Sequence, residues 1–341
     1  MTLSELTTGS AKIFLLSLLA FCFAMVLTPI YTFFAYRYSW WKQKRTSATT
    51  GEALSVVSQQ STRKRNVPTM AGLIVIASVT LVTVLFNLDR RQTWLPLVAL
   101  LGGGAVGIID DIINVRGKGI GIAGVRAPIK FAMITLVAGV AAWFFYYKLG
   151  YTSIHIPFMS DVTLGWVLIP LFVLAVVSTG NAVNISDGRD GLAGGLLVSA
   201  FGAFGVIAML QGHFGIAAFC MTMFGALQSY IWFNIPPARF FMGDVGSFAM
   251  GTSLGVVAML TNTLFLLPII GLVFVLEAGS SLIQIFSKKV FHRKVFIAAP
   301  LHHHLEALEW SKEKVTMRFW VIGQACAVIG VVLALLGGHI K

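Results

Sequence analysis

Polar residues punctuate this chain instead of alternating through it. Ten apolar stretches lie near 12–36, 69–87, 93–109, 128–147, 164–180, 191–210, 214–233, 242–261, 264–285 and 319–338. Most approach the roughly 20 residues that a helix needs to cross a bilayer. Backbone N–H and C=O groups in lipid must be satisfied within the segment, so these stretches predict helices. The two-residue alternation of a membrane barrel is absent. The expected fold is an all-α polytopic membrane protein with about ten transmembrane helices, a single integral-membrane domain over residues 1–341. The first stretch is too long for a signal-peptide core and is followed by Arg37 and Lys42 without a clear cleavage site, so it is expected to be retained.

Composition agrees. Apolar residues make up 57% of the chain and charged residues 11%, where soluble domains average about 45–50% and about 25%. Mean hydropathy is +0.84. This excludes a disordered chain, a disulfide-stapled secreted domain and a conventional soluble enzyme. The net charge is +12, yet no region reads as a basic soluble domain with interleaved aromatics, so no nucleic-acid partner is expected. The charge reports topology instead. Loops 37–68, 110–127, 181–190, 234–241 and 286–318, with their flanks, hold 20 of the 25 Lys and Arg. The bias predicts that these loops are cytoplasmic and that both termini are extracytoplasmic. The two long cytoplasmic loops are 37–68, polar and ending in Arg63, Lys64 and Arg65, and 286–318, where Val295, Phe296 and Ile297 suggest partial membrane contact. Cys22, Cys220 and Cys326 lie inside apolar stretches with no CxxC pair, which argues against a disulfide framework or a zinc site.

The chain has only thirteen acidic residues, so their placement is informative. Asp110, Asp111, Asp187, Asp190 and Asp244 all stand where an apolar stretch meets a predicted cytoplasmic loop. One such carboxylate is as readily a helix cap; five in three loops on one face mark a site, because ionisable groups near membrane depth are costly. Asp110 and Asp111 are adjacent, about 100° apart on a helix, and so can serve two roles at one centre. Oxygen ligands of this kind suit Mg²⁺, which takes one or two carboxylates and completes its shell with phosphate oxygens and water. With Lys and Arg converging on the same loops, the pattern points to phosphate chemistry on a metal. His302, His303 and His304 are consecutive and fan around any helix, so they do not all bind one ion; beside a phosphate they are hydrogen-bond donors. The sequon Asn184-Ile185-Ser186 falls on the predicted cytoplasmic side and is discounted.

Five elements together carry a resemblance: Pro68-Thr69-Met70; Gly107-x-x-Asp110-Asp111; Asn181-Ala182-Val183-Asn184-x-x-Asp187-Gly188-x-Asp190-Gly191; Phe241-Met242-Gly243-Asp244-Val245-Gly246-Ser247; and Ala299-Pro300-Leu301-His302-His303-His304-x-Glu306. In this order, from about residue 60 to 310, the chain resembles the polyprenyl-phosphate N-acetylhexosamine-1-phosphate transferases. The last element resembles the muramoyl-pentapeptide branch of that family. The resemblance implies a ten-helix fold in the bacterial cytoplasmic (inner) membrane with its active site on the cytoplasmic face. It implies transfer of phospho-MurNAc-pentapeptide from UDP-MurNAc-pentapeptide to undecaprenyl phosphate with Mg²⁺, and a homodimer. Carried over by motif, Asp244 becomes a metal ligand together with Asp187. Asp110 and Asp111 orient, deprotonate or attack, in either a one-step or a two-step route. Asp190 and Asn234 hold the uridine with Phe241 stacked on the base, and Asn181 and Asn184 line the same loop. Lys64, Thr69 and Lys130 contact phosphates or the nucleotide sugar, and His302, His303 and His304 line the site.

Three departures from the family pattern stand out. Asn114 replaces the usual Lys after the Asp pair, Asn66-Val67-Pro68-Thr69-Met70-Ala71-Gly72 replaces a Gly-rich version, and Arg189 stands where an apolar residue is common. A sister activity moving GlcNAc-1-phosphate onto a prenyl phosphate is disfavoured by the triple-His element. A transporter with an intramembrane carboxylate relay predicts charges near the midplane, whereas these cluster at one face.

Overall fold

Because each apolar stretch satisfies its own backbone, the structure is a set of helices. The computed structural model describes residues 3–41, 67–117 and 124–338. The helices are α1 (Leu3–Arg37), α2 (Gly72–Phe86), α3 (Trp94–Arg116), α4 (Ala127–Trp143), α5 (Leu168–Ser186), α6 (Leu192–Leu210), α7 (Phe214–Asn234), α8 (Gly243–Leu260), α9 (Leu267–Ile270), α10 (Leu272–Phe291), α11 (Leu301–Ala307) and α12 (Lys312–Leu336). Among the described residues, eight helices are long and apolar enough to cross a membrane, or nine if the bent α9–α10 pair counts as one span.

The expectation of about ten spans meets the structure at two irregular places. The 69–87 stretch yields only the 15 residues of α2, about 22 Å of helix, short of a hydrocarbon core of about 30 Å. The 264–285 stretch is bent by 82° where α9 meets α10, at Gly271, the kind of residue at which helices kink. The 286–318 loop is largely helical, since α10 continues to Phe291, α11 fills Leu301–Ala307 and α12 begins at Lys312. Ser311 starts α12 by accepting the Lys314 N–H at 3.2 Å, a side-chain N-cap.

Helix α8 is the axis of the bundle, with every residue from Gly243 to Leu260 buried. Helices α3 and α5 run along it; α1 packs on α7, and α6 lies between α7 and α12. Lipid gives no hydrophobic drive for helices to associate, so small residues and interhelical hydrogen bonds do the work. A Cβ on Gly107 of α3 would overlap the backbone of Asp244 and Val245 of α8. Thr252 and Ser253 of α8 donate to the Ala99 and Pro96 carbonyls of α3 at 2.9 and 3.1 Å. The outer helices show the reverse polarity of a soluble surface: α4 exposes Phe131, Leu136, Val140 and Trp143.

One hairpin, absent from the sequence expectation, pairs β1 (Ser153–His155) with β2 (Asp161–Thr163), Ser153 opposite Thr163. His155 Nδ1 lies 2.6 Å from Asp161 and Nε2 lies 2.8 Å from the Gly337 carbonyl, clasping the end of α12.

Candidate active site

At the other end of the bundle, the last turns of α3 and the first turns of α4 and α8 converge. Asp110, Asp111 and Asp244 each place a carboxylate oxygen within 4.8 Å of the others. Lys130, in the first turn of α4, reaches between two of them, with Nζ 2.9 Å from Asp110 Oδ2 and 2.7 Å from Asp244 Oδ2. The Val125 N–H donates to Asp110 Oδ1 at 2.7 Å and Asn114 Nδ2 approaches Oδ2 at 3.3 Å. Asn114 thus sits one turn beyond Asp110 on the same helix, and Lys130 supplies the positive charge beside this carboxylate. Asp111 Oδ2 accepts the Val245 N–H at 3.0 Å, so α3 caps the start of α8 with a carboxylate, where the helix dipole favours negative charge.

The turn before α8 is shaped by the segment that carries Thr69. Phe241 and Pro68, Ala71 and Phe241, and Gly72 and Met242 are joined by backbone hydrogen bonds of 2.8, 3.0 and 2.9 Å. Thr69 is fully buried, its N–H bonded to the Trp40 carbonyl and its C=O accepting from the Tyr31 hydroxyl. Gly243 follows at φ 77°, in the left-handed region that favours glycine, with Thr69 Oγ1 and Asp111 Oδ2 beside it. Phe241 keeps its ring partly exposed, so a planar group has room to stack on it. Lys64 lies outside the described residues.

The second loop is held by side chains that the motif had suggested for substrate. Asn234 is buried, accepting the Gly191 N–H at 2.8 Å and donating to the Phe240 carbonyl at 2.7 Å. Its amide therefore ties the 187–191 turn to the 235–242 turn. Asp190 accepts the Ala238 N–H at 3.1 Å, and Trp320 Nε1 donates to the Gly191 carbonyl at 3.0 Å. Asn184 Nδ2 donates to Ser247 Oγ at 2.9 Å, while Asn181 Nδ2 bonds back to the Val177 carbonyl. Asp187 ends α5 and falls outside the carboxylate group formed by Asp110, Asp111 and Asp244.

Helix α11 brings the histidines. His302 is buried, with its Nδ1 2.7 Å from Glu277 Oε2 and its N–H donating to Glu277 Oε1 at 3.0 Å. Burial, then the neighbouring His303 and Arg189, push the His302 pKa well below the ordinary imidazole value, so the ring is neutral. Its Nε2 faces Gly188. Arg189 pairs with Glu306 and lies 3.0 Å from His303 Nδ1. Burial opposes ionisation of Glu306, but the polar surroundings formed by His303 and the Arg189 guanidinium outweigh it and lower its pKa. His304 sits apart, accepting the Ile297 N–H at 3.3 Å. Glu277 is the functional candidate that the sequence reading passed over. Its signal was present, an ionisable side chain inside the 264–285 apolar stretch.

Residues 93–262 match the profile of glycosyl transferase family 4. The chain is also 38% identical to the phospho-N-acetylmuramoyl-pentapeptide-transferase of Chloroflexus aggregans, over 98% of this chain and 92% of that protein. The chain belongs to the phospho-N-acetylmuramoyl-pentapeptide-transferase family. Other members of this transferase family match most of the chain. The Geobacillus sp. (strain WCH70) protein is 35% identical over 92% of this chain and 95% of its own length. The Desulfotalea psychrophila protein is 38% identical over 76% of this chain and 77% of its own. The carboxylates Asp110, Asp111 and Asp244 all lie within the 93–262 match, whereas Glu277 and the histidines lie beyond it.

Proposed function

We propose that this membrane protein transfers phospho-MurNAc-pentapeptide from UDP-MurNAc-pentapeptide to undecaprenyl phosphate, forming lipid I and UMP in peptidoglycan synthesis. The observation that carries the reading is near-full-length similarity to phospho-N-acetylmuramoyl-pentapeptide-transferases, supported by a buried carboxylate group that would accept a hard cation. By the one-step or the two-step route, the diphosphate P–O bond to UMP breaks, UMP leaves, and the phosphorus that bears MurNAc ends bonded to an oxygen of the lipid phosphate.

The donor set fits Mg²⁺: three carboxylates, all oxygen, close enough for one ion. Asp110, Asp111 and Asp244 would hold it, and when bound it would screen the negative charge that the two substrates bring together. The chain's own groups do the rest. Lys130, already between Asp110 and Asp244, is placed to bind phosphate oxygens as they arrive. Asp111, fixed by the Val245 N–H, keeps the α3 carboxylates in register with α8. Asp190 and Phe241 sit on two turns that Asn234 ties together, a frame suited to a uridine, with Asn234 shaping the pocket from behind. His303, partly exposed, offers its ring to the diphosphate, while buried His302, held by Glu277, supports it from behind. The charge bias supports a cytoplasmic position for this end of the bundle, with both termini outside, and a water-poor site would protect the diphosphate from hydrolysis.

The test is UMP release by purified protein in detergent with undecaprenyl phosphate, Mg²⁺ and either UDP-MurNAc-pentapeptide or UDP-GlcNAc. Release with the muramoyl donor alone, abolished by EDTA and by Asp244→Asn, is expected. Release with UDP-GlcNAc alone would move the protein to the sister activity.

A further inference from the structure

Arg189 breaks the family pattern, and the structure gives it a specific task. Its guanidinium is almost wholly enclosed, and its ion-pair partner Glu306 is equally so, at 6% and 5% side-chain exposure. The same Nη2 that pairs with Glu306 lies 3.0 Å from His303 Nδ1. A guanidinium has five N–H donors, no acceptor, and does not lose its proton. A ring nitrogen facing it at that distance must therefore offer a lone pair. His303 is then neutral, with its proton on Nε2. Glu306 Oε2 lies 3.5 Å from the same Nδ1, and without the guanidinium between them this carboxylate would draw a proton onto Nδ1. Arg189 thus decides between two protonation patterns of one ring. Among the described residues Nε2 has no protein partner, and the side chain keeps 23% exposure, so the free N–H is available to a ligand.

We propose that Arg189 is a positioning residue that locks His303 as the neutral Nε2–H tautomer, so that this ring presents a hydrogen-bond donor to an anionic oxygen of the nucleotide-sugar diphosphate. The tautomer follows from the geometry alone; the identity of the acceptor rests on the transferase reading. The groups facing His303 are Arg189 and Glu306 at Nδ1 and the His302 ring at 4.3 Å between centroids, with Glu277 behind His302. The Arg189–Glu306 pair is neutral as a unit. Together with uncharged His302, it leaves His303 a donor without adding a further cation to the site.

The experiment is nitrogen NMR of the full-length protein in detergent, with ¹⁵N-labelled histidine and the His303 signals assigned by their loss in His303→Gln. In the wild-type protein Nδ1 should resonate as an unprotonated nitrogen and Nε2 as a protonated one. Arg189→Met keeps most of the stem and removes the donors. In it Nδ1 should become protonated, the pH profile of kcat should gain an ionisation that the wild type lacks, and kcat/KM should fall about ten- to a hundredfold, the usual cost of a lost supporting contact. Glu306→Gln keeps the Arg189 contact and should keep the wild-type tautomer. A protonated Nδ1 in the wild-type protein overturns the proposal, as does an Arg189→Met protein with unchanged spectrum and pH profile. If Arg189→Met does not fold, the wild-type spectrum alone decides. An inactive wild-type enzyme with the expected spectrum would count against the transferase reading and leave the tautomer assignment standing.

Discussion

Gly243 is where a single methyl group should separate the site from the fold. The residue sits at φ 77°, and a Cβ built there would lie 2.5 Å from Asp111 Oδ2 and 2.8 Å from both Thr69 Oγ1 and the Met70 backbone nitrogen. Gly243→Ala therefore has two costs. The left-handed backbone costs about 1–2 kcal/mol for a residue with a Cβ. Ordinary contact begins near 3.4 Å, so Asp111 must also retreat by about 0.9 Å, which stretches its 3.0 Å bond from Val245 N–H beyond useful range. A misplacement of about 1 Å at a reacting centre costs about a hundredfold in rate. Gly150→Ala separates the two effects, because Gly150 has the same φ of 77° with nothing within 4 Å. The assay is UMP release beside thermal melting in detergent. Both variants should lose melting temperature from the left-handed backbone, Gly243→Ala more because its Cβ also meets the Met70 nitrogen, and only Gly243→Ala should lose about a hundredfold in kcat. Equal activities in the two variants would refute the argument that Asp111 geometry limits turnover.

Further tests address the charges and the frame. Lys130→Met removes the cation lying between Asp110 and Asp244; titrating Mg²⁺ against thermal melting should show tighter metal binding with slower turnover, and weaker metal binding would contradict the arrangement. Asn234→Ala leaves the Gly191 N–H and the Phe240 carbonyl without their partner, at about 1–3 kcal/mol each; the melting temperature should drop and KM for the uridine donor should rise, and an unchanged KM would free the two turns from each other. The His302 pKa is depressed in the folded protein, so the unfolded chain binds more protons below the ordinary value of 6.5 and stability is lost as pH falls through it. Glu306, also depressed, acts in the same direction below the ordinary 4.5. The His302 contribution is read as a difference: between pH 8 and 4 the melting temperature of the wild type should fall relative to that of His302→Gln on the acid side of the ordinary imidazole value.

Much of this was legible in the chain, for identifiable reasons. Helices had to follow from apolar stretches with no other way to satisfy their backbone, and Asp110, Asp111 and Asp244 stood at stretch ends where carboxylates are rare. What stayed hidden was pairing across sequence. Nothing local tells Glu277 that its partner is His302, 25 residues on, or tells Arg189 that it meets Glu306 after 117. The motif resemblance assigns Asn234 to the uridine; its two backbone partners add that it ties the two turns together. The 82° bend at Gly271 and the short α2 escaped for a different reason. Hydropathy reports how apolar a stretch is and says nothing about whether it stays straight.

Helix α8 has no residue that faces outward, and this constrains how the protein can change over time. Peripheral helices such as α1, α4 and α12 can exchange one apolar side chain for another to suit a thicker, thinner or more fluid bilayer. The helix that bears Asp244 has no such freedom, because each of its side chains is already a neighbour's packing partner. Adaptation to a new lipid environment falls to the rim of the molecule, because a changed side chain on α8 has to be matched by its packing neighbours.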